Sequence, residues 1–289
     1  VPGLVFTAGS IILCPEVWSL PSYDIKGTPS QKRLQSLSDQ ISANPKDPKP
    51  YIDRAEFWVD YMMLTRARAD IDSSIGIVPT GAAYVWLAKL SIDPNKPSDN
   101  KMACVYLKKA RSVSSNDLQG LIRTANAYTQ FKMFDRSVEC YDDALKLRPG
   151  DLNLIDWKAI NLMKEGHFKD AIVAATYVLS KLPPKEKIET LKKVKVKENS
   201  MQFTLFKLHA DAYKTRGISL LKLHSYAVAL PDLNTALELA PGDEQLLKAR
   251  SEVYLKLGKP DLAEIDLRNT KGDIDFLFEN APFASGTHK

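Results

Sequence analysis

The residues best suited to chemistry in this 289-residue chain are four histidines, three cysteines and one dense run of lysines. His167, His209, His224 and His288 offer no pair at metal-ligand spacing. His167 and His224 fall between helical patterns, where polar residues are ordinary. Cys14, Cys104 and Cys140 are odd in number, widely spaced and without a CxxC, which speaks against a disulfide framework or a cysteine zinc site. A single bridge stays open; Cys104 and Cys140 read as buried free thiols on helices. No HExxH, phosphate-binding GxxxxGK, GxGxxG after a strand or GxSxG occurs. No catalytic residue, metal or cofactor is therefore assigned, and the chain is not expected to be an enzyme. An enzyme built on it would need a deep pocket with converging carboxylates or histidines.

Composition sets few limits: 44% of residues are hydrophobic, 26% charged, and the formal charge is +5. That mild charge neither demands nor excludes a nucleic-acid or anionic-membrane partner. The basic residues concentrate at Lys185, Lys187, Lys192, Lys193, Lys195 and Lys197, interspersed with Glu186, Glu189 and Glu198. Two readings compete: an extra helix, or a long extension of the next repeat's first helix, with a solvated lysine face; or a basic patch for an acidic partner, anionic lipid or RNA. The aromatics of MQFTLF do not interleave with the lysines, which argues against a base-stacking platform.

The elements that position these residues repeat. HFKDAIVAATYVLSKLP (167–183) has counterparts in MFDRSVECYDDALKLRP (133–149) and SYAVALPDLNTALELAP (225–241), each with an aromatic, a small residue three later, and a closing Pro. Small residues recur at Ala55, Ala88, Ala125, Ala159, Gly217 and Ser251. Their partners on the following helices are Ala67, Ala103, Ser137, Ala171, Ala229 and Ala263. The gap is 12 in five pairs and 15 in the second, where SIDPNKPSDNK absorbs the difference. A small residue on each of two antiparallel helices lets their backbones approach, while larger residues at helical spacing fill the flanks.

This pattern resembles the tetratricopeptide repeat, a 34-residue helix–turn–helix unit, over about residues 45–270. The resemblance implies an all-α solenoid, a right-handed superhelix of five to six repeats with helical caps. The units read as 48–80, 81–117, 118–151, 152–185, 210–243 and 244–270, the last degenerate. A lysine-rich insertion occupies 186–209, a capping helix 30–47, and a C-terminal cap and tail 271–289. The Leu usual before the first small residue is mostly missing; Arg54, Thr124, Lys158, Arg216 and Arg250 stand there instead. Residues 1–29 form an apolar segment and linker that reads as an export-signal remnant or as part of a cytoplasmic chain. Leu13 before Cys14 disfavours lipidation, and no run reaches the ~20 apolar residues of a membrane span.

The first helix of each unit in such a solenoid lines a concave face, and offsets −6, −3, +1 and +4 from the small residue point inward. The expected function is non-catalytic protein–protein binding, as scaffold or adaptor, with a partner segment held in that groove. The contact residues expected are Ile122, Asn126, Asp156, Ile160, Met163, Lys214 and Ile218, from the central units. A protein or peptide partner is expected, nucleic acid is not, and any membrane association would be peripheral. The chaperone-tail carboxylate clamp of some family members is not expected: Arg123 and Asn126 are present, but Gln119 and Ile122 replace its lysines and Trp157 its second asparagine.

Overall fold

The computed structural model describes residues 29–92, 101–183 and 201–270. Among these lie thirteen helices and no strand: α1 (Pro29–Ala43), α2 (Lys49–Asp60), α3 (Leu64–Ile77), α4 (Gly81–Leu90), α5 (Lys101–Val113), α6 (Leu118–Gln130), α7 (Phe134–Leu147), α8 (Leu152–Glu165), α9 (Phe168–Lys181), α10 (Met201–Lys222), α11 (Tyr226–Leu239), α12 (Glu244–Lys256) and α13 (Pro260–Asn269).

Short polar side chains start several of the first helices. Thr80 Oγ1 accepts the Ala83 amide, Asp117 the Gln119 amide, Asp151 those of Asn153 and Leu154, and Asp243 that of Leu246. Each satisfies a donor that the first helical turn leaves without a carbonyl partner.

The first helices end alike. Seven residues beyond the first small position, Met62, Lys132, Gly166, His224 and Gly258 all have positive φ, between 58° and 97°. The next amide then reaches back over the helix end: Met63 to the Trp58 carbonyl, Met133 to Tyr128, His167 to Leu162, Ser225 to Leu220 and Lys259 to Tyr254, at 2.8–2.9 Å. One left-handed residue thus reverses the chain in five of the six units and satisfies a carbonyl that would otherwise be orphaned.

That reversal brings the small residues face to face. All twelve are buried. Around them the helices pack as α2·α3, α4·α5, α6·α7, α8·α9, α10·α11 and α12·α13. Each second helix also packs on the first helix of the next pair, and α4·α6, α8·α10 and α10·α12 join first helices along one side. Contacts run mainly between neighbours in sequence, the mark of a solenoid rather than a globular bundle. Helix α1 packs on α2 and buries Leu37.

Helix α10 begins at Met201, so residues 201–209, read above as insertion, belong to the first helix of the fifth pair. His209 ties this extension down: its ring nitrogens lie 2.9 Å from the Leu205 carbonyl and 3.0 Å from the Pro183 carbonyl. The lysine run, the N-terminal 1–28 segment with Cys14, and the 271–289 tail with His288 lie outside the described residues. Cys140 is buried and Cys104 partly so, both as free thiols, and burial pushes the Cys140 thiol up to about 12.

Candidate functional site

Two adjoining cavities on the first-helix face span α2, α4 and α6. A cavity of about 400 Å³ is lined there by Ile52, Glu56, Ala82, Val85, Trp86 and Arg123, among others. A second, of about 290 Å³, shares Ile52, Asp53, Ala82 and Arg123 with it and runs on past Lys49 and Gln119. Together they form one trough across three consecutive units.

Its chemistry follows from helix order. Asp53 and Glu56 stand on α2, and neither is in an ion pair among the described residues. Ala82 and Val85 of the intervening α4 make an apolar floor, with the Lys89 ammonium 4.5 Å over the Trp86 ring. On α6 the exposed Arg123 is likewise unpaired, and Asn126 accepts a 2.8 Å bond from the Tyr141 hydroxyl. An acidic wall therefore faces a guanidinium across an apolar floor.

The residues expected from the sequence divide. Asn126 lines the trough. Ile122 and Ile160 are half-buried, and Ile122 packs on the core of units two to four. Lys214 is half-buried and bonds Asp243 at 2.5 Å. Met163 and Ile218 are only 8% and 7% exposed, packed in one core with Leu221, Leu233 and Leu246. Helix α10 lies directly against α8, so side chains aimed along the inner face there meet the next unit instead of solvent. These two are packing residues in the chain as it stands. Asp156 is 1% exposed, and its Oδ1 has no hydrogen-bond partner. Burial, with the neighbouring Asp211 charge, pushes Asp156 up to about 8; burial raises Asp211 as well.

Three trough residues lie outside the four inward offsets, Arg123 having entered only through the clamp comparison. Asp53, Trp86 and Arg123 all sit two residues before the first small position. Offset −2 lies one turn from both −6 and +1, so it belongs to the same helical stripe. Extending the stripe by one row finds them.

Among the described residues, no group of three or more His, Cys, Asp or Glu could hold a metal ion, and no helix is long and apolar enough to cross a membrane. No family model matches the sequence, and no curated protein matches it. Solved structures do. A chain of the APC/C hetero-tetramer Cut9-Hcn1 superposes with a TM-score of 0.53 at 18% identity, over 84% of this chain and 43% of that one. The fold is the tetratricopeptide-repeat solenoid. The present chain spans less than half the length of that neighbour. MamA from Desulfovibrio magneticus RS-1 matches at a TM-score of 0.46 and 16% identity, over 69% of this chain and 97% of that one. YrrB, described as a TPR protein with an unusual peptide-binding site, matches at 0.42 and 15%, over 85% and 97%. In tetratricopeptide terms, α2 to α13 are six helix pairs, and the trough lies on the first helices of pairs one to three.

Proposed function

We propose that the chain is a non-catalytic interaction scaffold that holds a segment of a partner protein in the trough of units one to three. The carrying observation is the unpaired charge there: Asp53 and Glu56 on one wall and Arg123 on the other, across Ala82 and Val85. Some surface charges are satisfied within the chain, as Arg111 is by Asp143 and Glu139. Charges left free around an apolar floor fit a ligand that brings its own counter-charges and apolar side chains. Such a segment presents a basic residue toward α2, an acidic one toward α6, and a short apolar stretch between them. The fold supports this reading, since repeated helix pairs give an extended preformed surface at little ordering cost. The similar chain of the Cut9-Hcn1 hetero-tetramer is itself part of a protein–protein assembly.

The test is a random dodecapeptide display library panned on the full chain. Selected peptides are expected to lose about tenfold or more in affinity, roughly 1.4 kcal/mol, on Arg123→Glu and on Ala82→Trp, which fills the floor. Equal affinity for wild type and both variants would place the binding surface elsewhere.

A further inference from the structure

The inner face of units four and five carries a second arrangement that packing does not explain. Asp156 sits on α8 at offset −3 and Asp211 on α10 at offset −6 of the next unit. The same two offsets bring Ile52 and Ala82 together in units one and two, where both line one cavity. Here the register brings together two carboxyl groups. Asp211 is half-buried and Asp156 is 1% exposed.

Neither acid is matched by the chain. The Asp156 Oδ1 is buried without a hydrogen bond, and Asp211 forms no hydrogen bond or ion pair among the described residues. Lys207 pulls through space on both carboxyls and Lys214 on Asp211, but neither lysine bonds either acid. Lys214 bonds Asp243 at 2.5 Å, Lys158 of α8 bonds Asp142 of α7 at 2.5 Å, and Lys207 of α10 is exposed. On α9 the charged Lys169, Asp170 and Lys181 all stand in solvent. A buried, unbonded carboxyl is costly, and a fold can shed it by substitution with Asn, Leu or Ile at no loss of packing. Ile122, at the same offset in unit three, shows that an apolar residue fits the register.

We propose that Asp156 and Asp211 form a cation subsite on the concave face, taking the guanidinium or ammonium group of a Lys or Arg side chain from a bound partner segment. The inference rests on the groove reading above and extends it from units one to three into units four and five. Burial pushes Asp156 up to about 8, so below that pH the incoming cation replaces a proton, which leaves to solvent. Two carboxylates around one guanidinium give the charge-assisted, bidentate geometry that Arg favours.

The probe is a fluorescein-labelled nine-residue oligo-arginine peptide, titrated into the full chain. The net charge of +5 disfavours general attraction, and the variants distinguish this site from other acids of the chain. Asp156→Asn and Asp211→Asn are each expected to weaken binding about tenfold or more, while the double variant Asp170→Asn/Asp261→Asn, at exposed acids on second helices, stays within about twofold. Arginine keeps its charge throughout, so wild-type affinity rises about tenfold or more between about pH 6.5 and 9, and Asp156→Asn flattens that rise. Should Asp156→Asn not fold, the half-buried Asp211→Asn carries the test. Wild-type affinity in both Asn variants, no pH dependence, or no binding at all overturns the subsite. The groove reading is judged separately, by Arg123→Glu against selected dodecapeptides, so either can fail alone.

Discussion

Arg216 clasps Asp232 through two parallel bonds of 2.7 Å, from Nε to Oδ2 and from Nη2 to Oδ1. The two are 16 residues apart, one on each helix of unit five. Arg54–Asp70 and Arg250–Asp266 repeat the geometry in units one and six, with each acid buried. The arginines occupy the position where the tetratricopeptide pattern commonly has Leu. A forked ion pair thus joins the two helices where an apolar contact would otherwise do so. Removing one partner strands a buried charge; replacing both restores an apolar contact. Arg216→Leu is expected to cost about 3 kcal/mol, and Arg216→Leu/Asp232→Leu to recover most of it. Urea denaturation of the two singles and the double closes the cycle. Additive losses would show that the pair does not act as a unit.

The left-handed turn residues give an opposite expectation. Met62, Lys132 and His224 hold φ near 60°, where a Cβ crowds the carbonyl, while Gly166 and Gly258 fill the same place freely. Lys132→Gly is expected to stabilise by up to about 1 kcal/mol, and Gly166→Ala to destabilise by a similar amount. The sign of the shift in the urea midpoint decides. A loss with Lys132→Gly would mean that the Lys132 side chain contributes more than its backbone strain costs.

Close packing is sharpest where unit two meets unit three. A Cβ added at Gly120 would fall 2.7 Å from the Ser114 Cβ and 2.6 Å from the Asp117 Oδ2. Ser114 ends the second helix of unit two, and its buried hydroxyl has no hydrogen-bond partner. Gly120→Ala is expected to cost about 1–3 kcal/mol, because neither the serine Cβ nor the capping aspartate moves without loss. Ser114→Gly removes the obstacle and should return part of that cost. A Tm for Gly120→Ala equal to wild type would show that the junction yields.

These cases mark what the sequence discloses. Ala55 with Ala67 and Ala159 with Ala171 were readable because close helix approach admits only small side chains, and periodicity exposes such a constraint. The turns were not readable as left-handed, because Met62, Lys132 and His224 carry no glycine signal. The arginines looked like departures until Asp70, Asp232 and Asp266 were found opposite them. The inner stripe was legible as a face, yet which part lies open was not. The packing of α10 on α8 covers Met163 and Ile218, and no local pattern encodes that contact.

Asp156 makes the last expectation, in the absence of any ligand. Its folded value of about 8 lies well above the usual carboxylate range near 4, because burial and the Asp211 charge disfavour the anion. Between those values the folded chain keeps a proton that the unfolded chain has released. Stability therefore falls as pH rises through that window and levels off above it. Asp156→Asn carries no such proton, so its stability relative to wild type is expected to grow steadily as pH rises between about 4 and 8, then stay flat. Taking the difference between the two proteins cancels the titration of every other group that Asp156 does not touch. Asp211→Asn relieves part of the same repulsion and should end that fall at a lower pH without abolishing it. Thermal or urea unfolding of wild type and both variants across this range gives the result directly. A wild-type profile parallel to that of Asp156→Asn would mean that Asp156 is ionised in the folded chain, with a counter-charge already beside it.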